Sequence, residues 1–169
     1  MRITDKYVFF YKDWLSNYQK TSFIYTWAGR KYEFSSTEKA FMFIKAKMFG
    51  DEAIAMQILI TENPNECRKL GRMVKNYDEK VWDACRVQIF YDLNKAKYTQ
   101  DGYLRRLLLD PKYDNKIFVE ASPIDKIWGV GLDEKDPLID DERNWKGENN
   151  LGKIITQIRN ELKENEEKN

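Results

Sequence analysis

Two stretches of this chain set carboxylates beside residues that could hold or approach a ligand. The first is Ser35-Ser36-Thr37-Glu38, which runs straight into apolar positions at 40, 41, 44 and 48. Ser35 and Glu38 have the S-x-x-E spacing of a capping box, in which the serine oxygen accepts from a first-turn N–H and the glutamate reaches back. Glu38 therefore reads either as a helix cap or as a carboxylate that points into a cleft and does acid–base work. The two roles are compatible, because the positive end of a helix dipole favours an ionised carboxylate. The second stretch runs from Glu120 through Asp125, Trp128 and Gly129 to Gly131. Glu120 and Asp125 are candidates for acid, base or stabiliser of a cationic transition state. Trp128 is a candidate for stacking on a base, and Gly129 and Gly131 allow a ligand close to the backbone. The structural alternative is a turn capped by Asp125, a core ring at Trp128 and two glycine turns. Gly129-x-Gly131 is not a dinucleotide fingerprint, since it lacks the third glycine and does not run from a strand into a capped helix.

Composition removes whole classes of chemistry. The chain has no histidine, which excludes Ser-His-Asp and Cys-His catalysis and any His-ligated zinc. Protons must then be moved by carboxylates, Lys, Tyr or water. Cys67 and Cys85 form neither a metal pattern nor a disulfide framework, and both fall at apolar helical positions, as buried free thiols do. The net charge of +1 gives no overall pull toward nucleic acid or anionic membrane, leaving only a local basic groove open. No apolar run approaches a membrane span, and Met1 to Lys6 lack the apolar core of a signal peptide. An intracellular, cytoplasmic protein is expected.

The elements that must position these groups follow from periodicity and punctuation. Tyr7 to Tyr11 has strand character, and residues 13 to 18 read as a polar-aromatic loop. Ser22 to Trp27 and Lys31 to Phe34 form a hairpin around Gly29. A helix then runs from Ser35 to about Phe49, stopped by Gly50. Glu52 to Leu59 is a second helix, and Asn63-Pro64 starts a third. Asp78 caps a long helix to about Tyr98, with Val81, Trp82, Cys85, Ile89, Leu93 and Ala96 facing inward. Tyr103 to Leu109 adds further helical turns up to Asp110-Pro111. Ile117 to Pro123 is a short strand running into a loop. Residues 132 to 148 read as an acid-rich surface loop. Asn149 or Asn150 caps the last helix, which runs from Leu151 to about Leu162 and leaves 164–169 frayed. No repeat or linker divides residues 1–169, and one domain is expected.

In this order the chain resembles the YbiA/NADAR family of N-glycosidases. The resemblance rests on Phe9-Phe10 before Leu15-Ser16-Asn17-Tyr18, and on Ser36-Thr37-Glu38 followed by Phe41 and Lys45. It continues through Gly71-Arg72, Trp82, the Glu120…Asp125…Trp128-Gly129…Gly131 block, and Gly147-x-Asn149-x-Leu151-Gly152 with Arg159 and Leu162. It covers about residues 8 to 163. It implies a helix-dominated α+β domain with a small hairpin or sheet packed on a helical bundle. It also implies cleavage of a ribosyl C–N bond without metal or redox cofactor. The implied substrate is a small nucleotide-like molecule, a phosphorylated ribosylaminopyrimidine of the riboflavin-intermediate type or a related ADP-ribosyl compound. The alternatives are release of ADP-ribose from guanine in nucleic acid, with Lys39, Lys45, Lys47 and Arg72 sharing a rim, and a non-catalytic ADP-ribose or nucleotide sensor. On this resemblance Glu38 is the carboxylate at the ribose, and Asp125 takes a second polar role with Glu120 in reserve. Trp82 and Trp128 stack on a base or close the cleft, with Gly129 beside them. Asn17 and Asn149 hold ribose hydroxyls, and Lys45 and Arg72 meet phosphate. The chain departs from the family at Met42, where many members carry Gln, and in the longer acidic segment 132–146.

Overall fold

In the computed structural model, which describes residues 1–169, the chain forms two compact units. One is residues 17–102; the other combines residues 1–16 with 103–169.

In the 17–102 unit, β1 (Phe23–Trp27) and β2 (Arg30–Phe34) form the expected antiparallel hairpin. Ala28 and Gly29 both take positive φ, the geometry of a two-residue primed turn whose twist matches the strands. Cross-strand partners Phe23 and Phe34 are buried, and Phe34 packs on Phe43 of the next helix. That helix, α1 (Thr37–Met48), meets α2 (Glu52–Leu59), α3 (Pro64–Gly71) and α4 (Glu79–Gln100). Residues 37–44 are consequently buried all round, as in a central helix rather than an amphipathic surface one. The bounds of α2 and the start of α3 agree with expectation, because Asp51 and Asn63 accept first-turn N–H groups. The start of α1 does not. Ser36, not Ser35, is the cap, accepting from Lys39 N at 3.1 Å, so Glu38 is one residue too early for a capping box. On α4, Trp82, Ile89 and Leu93 face inward as expected, whereas Val81 is exposed and Cys85 is half-buried. Gln100 pairs through its side-chain amide with both backbone groups of Ile24, and Thr21 Oγ1 donates to Asp101 Oδ2 at 2.6 Å. The end of α4 is thereby tied to the start of the hairpin.

The other unit is built on a three-stranded sheet. β3 (Arg2–Ile3) pairs antiparallel with β4 (Tyr7–Phe10), which pairs in parallel with β5 (Ile117–Glu120). All four residues of β4 are buried, so the run shows no alternation. After α5 (Gly102–Leu108), which opens at the passage from one unit to the other, the chain returns through a short turn to β5. α6 (Asn150–Lys168) lies along β5. Thr156 Oγ1 accepts from Phe118 N, and the buried Arg159 guanidinium donates to the carbonyls of Tyr113 and Lys116. The helix continues through the residues expected to fray.

Segment 132–146 is not a plain surface loop. Leu132 and Ile139 are buried in one cluster with Tyr7, Phe9, Val119 and Val130, and Trp145 packs on Tyr7. Its acids have local work: Asp133, Asp136 and Asp141 each accept a backbone N–H two residues on, and Asp140 pairs with Arg2 at 2.6 Å. No helix is long and apolar enough to cross a membrane.

Candidate active site

The first candidate cluster is organised by the N-terminus of α1. Ser36 caps Lys39 N, Ser36 O accepts from Ala40 N, and Asn17 O accepts from Glu38 N at 3.1 Å. Capping is thus carried by Ser36 and Asn17, so Glu38 is not needed for it. Its side chain, 8% exposed, begins a stripe of Glu38, Phe41, Met42 and Lys45 at helical spacing.

Each member of the stripe has defined neighbours in this unit. Phe41 packs on Trp82 and Phe90, with ring centroids 4.8 and 4.6 Å away. Met42 fills the space where a Cβ on Gly71 would stand, 2.0 Å from that position at its sulfur. Lys45 Nζ donates to Gly71 O at 2.9 Å and sits 4.5 Å from the centre of the Tyr77 ring. Burial lowers the Lys45 pKa, the nearby Arg72 charge lowers it further, and Glu38 opposes both. Glu38, Lys45 and Arg72 therefore share one electrostatic neighbourhood, with Trp82 as its buried wall. Asn17 contributes its backbone carbonyl to the start of the stripe, and its Oδ1 is buried without a partner.

Of the four cations expected to share a rim, two are engaged in ion pairs. Lys39 is almost fully buried and pairs with Glu62 at 2.7 Å, and Lys47 pairs with Glu52 at 2.9 Å. Trp82 is buried against Phe41 and Phe49, so it lines the neighbourhood rather than offering an open face. Burial pushes the Cys67 thiol up to about 11, a poor nucleophile at neutral pH.

The second cluster lies in the other unit and is largely engaged in its own architecture. Asp125 Oδ1 accepts from Ile127 N at 2.9 Å and Trp128 N at 2.8 Å, and Asp125 N donates to Ser122 Oγ. This is the capped turn weighed above, and it fixes the backbone at Trp128. Gly129 is buried, and a Cβ there would stand 2.9 Å from Glu120 O and 3.0 Å from Asp125 O. Its missing side chain admits the protein's own backbone rather than a ligand. Asn149 is engaged likewise. It is 1% exposed, in the left-handed region at φ 54°, and its amide bridges β5 by accepting from Glu120 N and donating to Phe118 O. An amide held at both ends by strand backbone is unsuited to ribose hydroxyls. Glu120 ends β5, half-buried. No group of three or more His, Cys, Asp or Glu side chains is placed to hold a metal.

Sequence reasoning passed over two features. Tyr77, whose ring seats Lys45, lies in a connection without periodicity. Asn94 and Lys97 lie on the buried face of α4, where a lysine reads as solvated surface unless the helix's rotation is known.

The sequence model of the NADAR domain matches residues 5–163. The chain belongs to the NADAR family. It is 40% identical over 132 residues to the Caenorhabditis elegans protein irg-1, covering 77% of this chain and 61% of that one. It is 35% identical over 167 residues to N-glycosidase R617 of Acanthamoeba polyphaga mimivirus, covering 94% of this chain and 97% of the viral one. A 113-residue stretch, 64% of the chain, is 29% identical to 16% of the Zea mays chloroplastic riboflavin biosynthesis protein PYRR. The NMR structure of the E. coli protein YbiA has the same fold, with a TM-score of 0.73 at 24% identity, covering 99% of this chain and 91% of that one.

Proposed function

We propose that this NADAR protein is an N-glycosidase that hydrolyses the ribosyl C–N bond of a phosphorylated ribosylaminopyrimidine or a related ADP-ribosyl compound. The observation that carries the reading is the α1 stripe, in which the buried Glu38 carboxylate shares an electrostatic neighbourhood with Lys45 and Arg72. C–N cleavage passes through an oxocarbenium-like ribose, which a carboxylate stabilises while activating the water that adds to the anomeric carbon. The base departs with the bonding pair and takes up a proton. Lys45, oriented by Gly71 O and the Tyr77 ring, and Arg72 supply the positive charge that a phosphate needs. Asp125 and Glu120 belong to the other unit, where Asp125 holds the turn at Trp128. The resemblance to PYRR over part of the chain supports the riboflavin-intermediate class.

Pairing of Lys39 with Glu62 and Lys47 with Glu52 removes two cations from a strand-binding rim, which favours a small substrate over ADP-ribosylated nucleic acid. The test is incubation with a phosphorylated ribosylaminouracil, ADP-ribosylated guanosine, an ADP-ribosylated oligonucleotide and NAD, with products separated by mass. Release of free base, lost in Glu38→Gln, is the expected result. Binding without turnover would replace the enzyme by a sensor.

A further inference from the structure

The α1–α4 contacts show that the two helices run antiparallel. Phe41 meets Phe90 and Trp82, whereas Phe49, further along α1, meets Trp82 and the earlier Tyr77. The later turns of α4 therefore lie toward the N-terminal end of α1. The hydrogen bonds agree: Asp101 holds Thr21, and Thr21 N donates to Ser35 O just ahead of the helix. At this end of the unit polar groups are buried beside apolar side chains such as Leu93 and Phe34. Asn94 and Lys97 are both 0% exposed, one turn apart on α4, and neither Asn94 Oδ1 nor Lys97 Nζ has a hydrogen-bond partner. Asn17 Oδ1 and Thr37 Oγ1, beside the start of α1, are also buried without one.

A buried lysine without a partner is costly, and Leu or Met would fill the same volume without that cost. Four such atoms around one helix end indicate groups whose partners arrive with a ligand. We propose that Lys97 is a catalytic nucleophile for a ribosyl carbon, acting at the Glu38 end of α1. The proposal rests on the N-glycosidase reading and adds a covalent step to it. The neutral amine attacks the anomeric carbon, the C–N bond to the base breaks, and the base leaves with the bonding pair and a proton from the new ammonium. Opening of the ribose ring protonates the ring oxygen and leaves an imine between Lys97 and the former anomeric carbon. Water adds to the imine, releasing the sugar as its aldehyde and restoring the amine. Burial holds the Lys97 pKa down to about 7, with Asp101 opposing. The side chain thus keeps a lone pair near neutral pH, as an imine-forming lysine requires. Asp101 is the charged group that acts on it, and one oxygen of that carboxylate is held by Thr21. From its own helix the Tyr98 ring lies 4.6 Å from Nζ.

The deciding experiment treats the folded protein with ribose 5-phosphate and cyanoborohydride, then maps adducts by peptide mass. An adduct concentrated at Lys97, half-maximal near pH 7 and absent from Lys97→Met, is expected. Adducts confined to surface lysines, or at Lys97 only in urea, overturn the proposal. The probe carries the sugar aldehyde and needs no turnover, so the two readings separate. Labelling of Lys97 without hydrolysis of any substrate would sustain the lysine and remove the glycosidase. Hydrolysis without labelling would leave Glu38 in place and remove the lysine.

Discussion

Glu38 and Asp125 are both carboxylates in turns, yet their surroundings separate them. Because Ser36 and Asn17 cap α1, Glu38→Gln leaves the helix start intact. Loss of turnover by about 10²–10⁴-fold with little change in melting temperature is expected, as for removal of an acid–base or charge-stabilising group. Asp125 holds two backbone N–H groups through a single oxygen, which an asparagine carbonyl can replace. Asp125→Asn should therefore retain most activity, while Asp125→Ala loses about 1–2 kcal/mol in denaturant titration. Inactivity of a stable Asp125→Asn would restore the carboxylate charge to the chemistry. At this scale the place of Glu38 in the first turn of α1 was legible in the sequence, because a helix start is written in local residue types. Asn149 was not, since only the fold shows that its amide is consumed by β5.

At the scale of elements, glycines and one asparagine set how closely segments approach. A Cβ on Gly152 would lie 2.2 Å from Phe118 O, so Gly152→Ala must push α6 off β5. A loss of about 1–3 kcal/mol is expected in thermal or urea unfolding. Asn149→Ala strands two buried backbone groups of β5 and should cost about 2–4 kcal/mol. Helices α3 and α4 were readable because Asn63 and Asp78 punctuate them locally. The parallel pairing of β4 with β5 was not, because it joins residues more than a hundred positions apart. Segment 132–146 misled for a related reason: its acids dominate its composition, whereas its placement is decided by Leu132, Ile139 and Trp145.

For the whole molecule, near-neutral charge leaves pH dependence to a few buried groups. The Lys97 pKa falls from 10.5 to about 7 on folding. Between those values the unfolded chain holds a proton that the folded one has released, so stability rises with pH across this window and is lost as pH falls through about 7. Lys97→Met should flatten that slope and raise stability at neutral pH by about 1–3 kcal/mol, read from urea midpoints across the range. Cys67 runs the other way: its thiol is held neutral to about 11, so it should resist alkylation until the protein unfolds.

The sequence by itself determined the exclusion of histidine chemistry, the punctuation of α3 and α4, the hairpin and the family, each written in residue types or short spacings. Tertiary structure alone decided which polar groups are occupied and which lack partners. Lys39 and Lys45 look alike in the chain, but one is neutralised by Glu62 and the other is seated on Tyr77. Lys97 looks like a surface residue until the rotation of α4 buries it. Burial and pairing depend on what distant segments place nearby, and no local pattern carries that information.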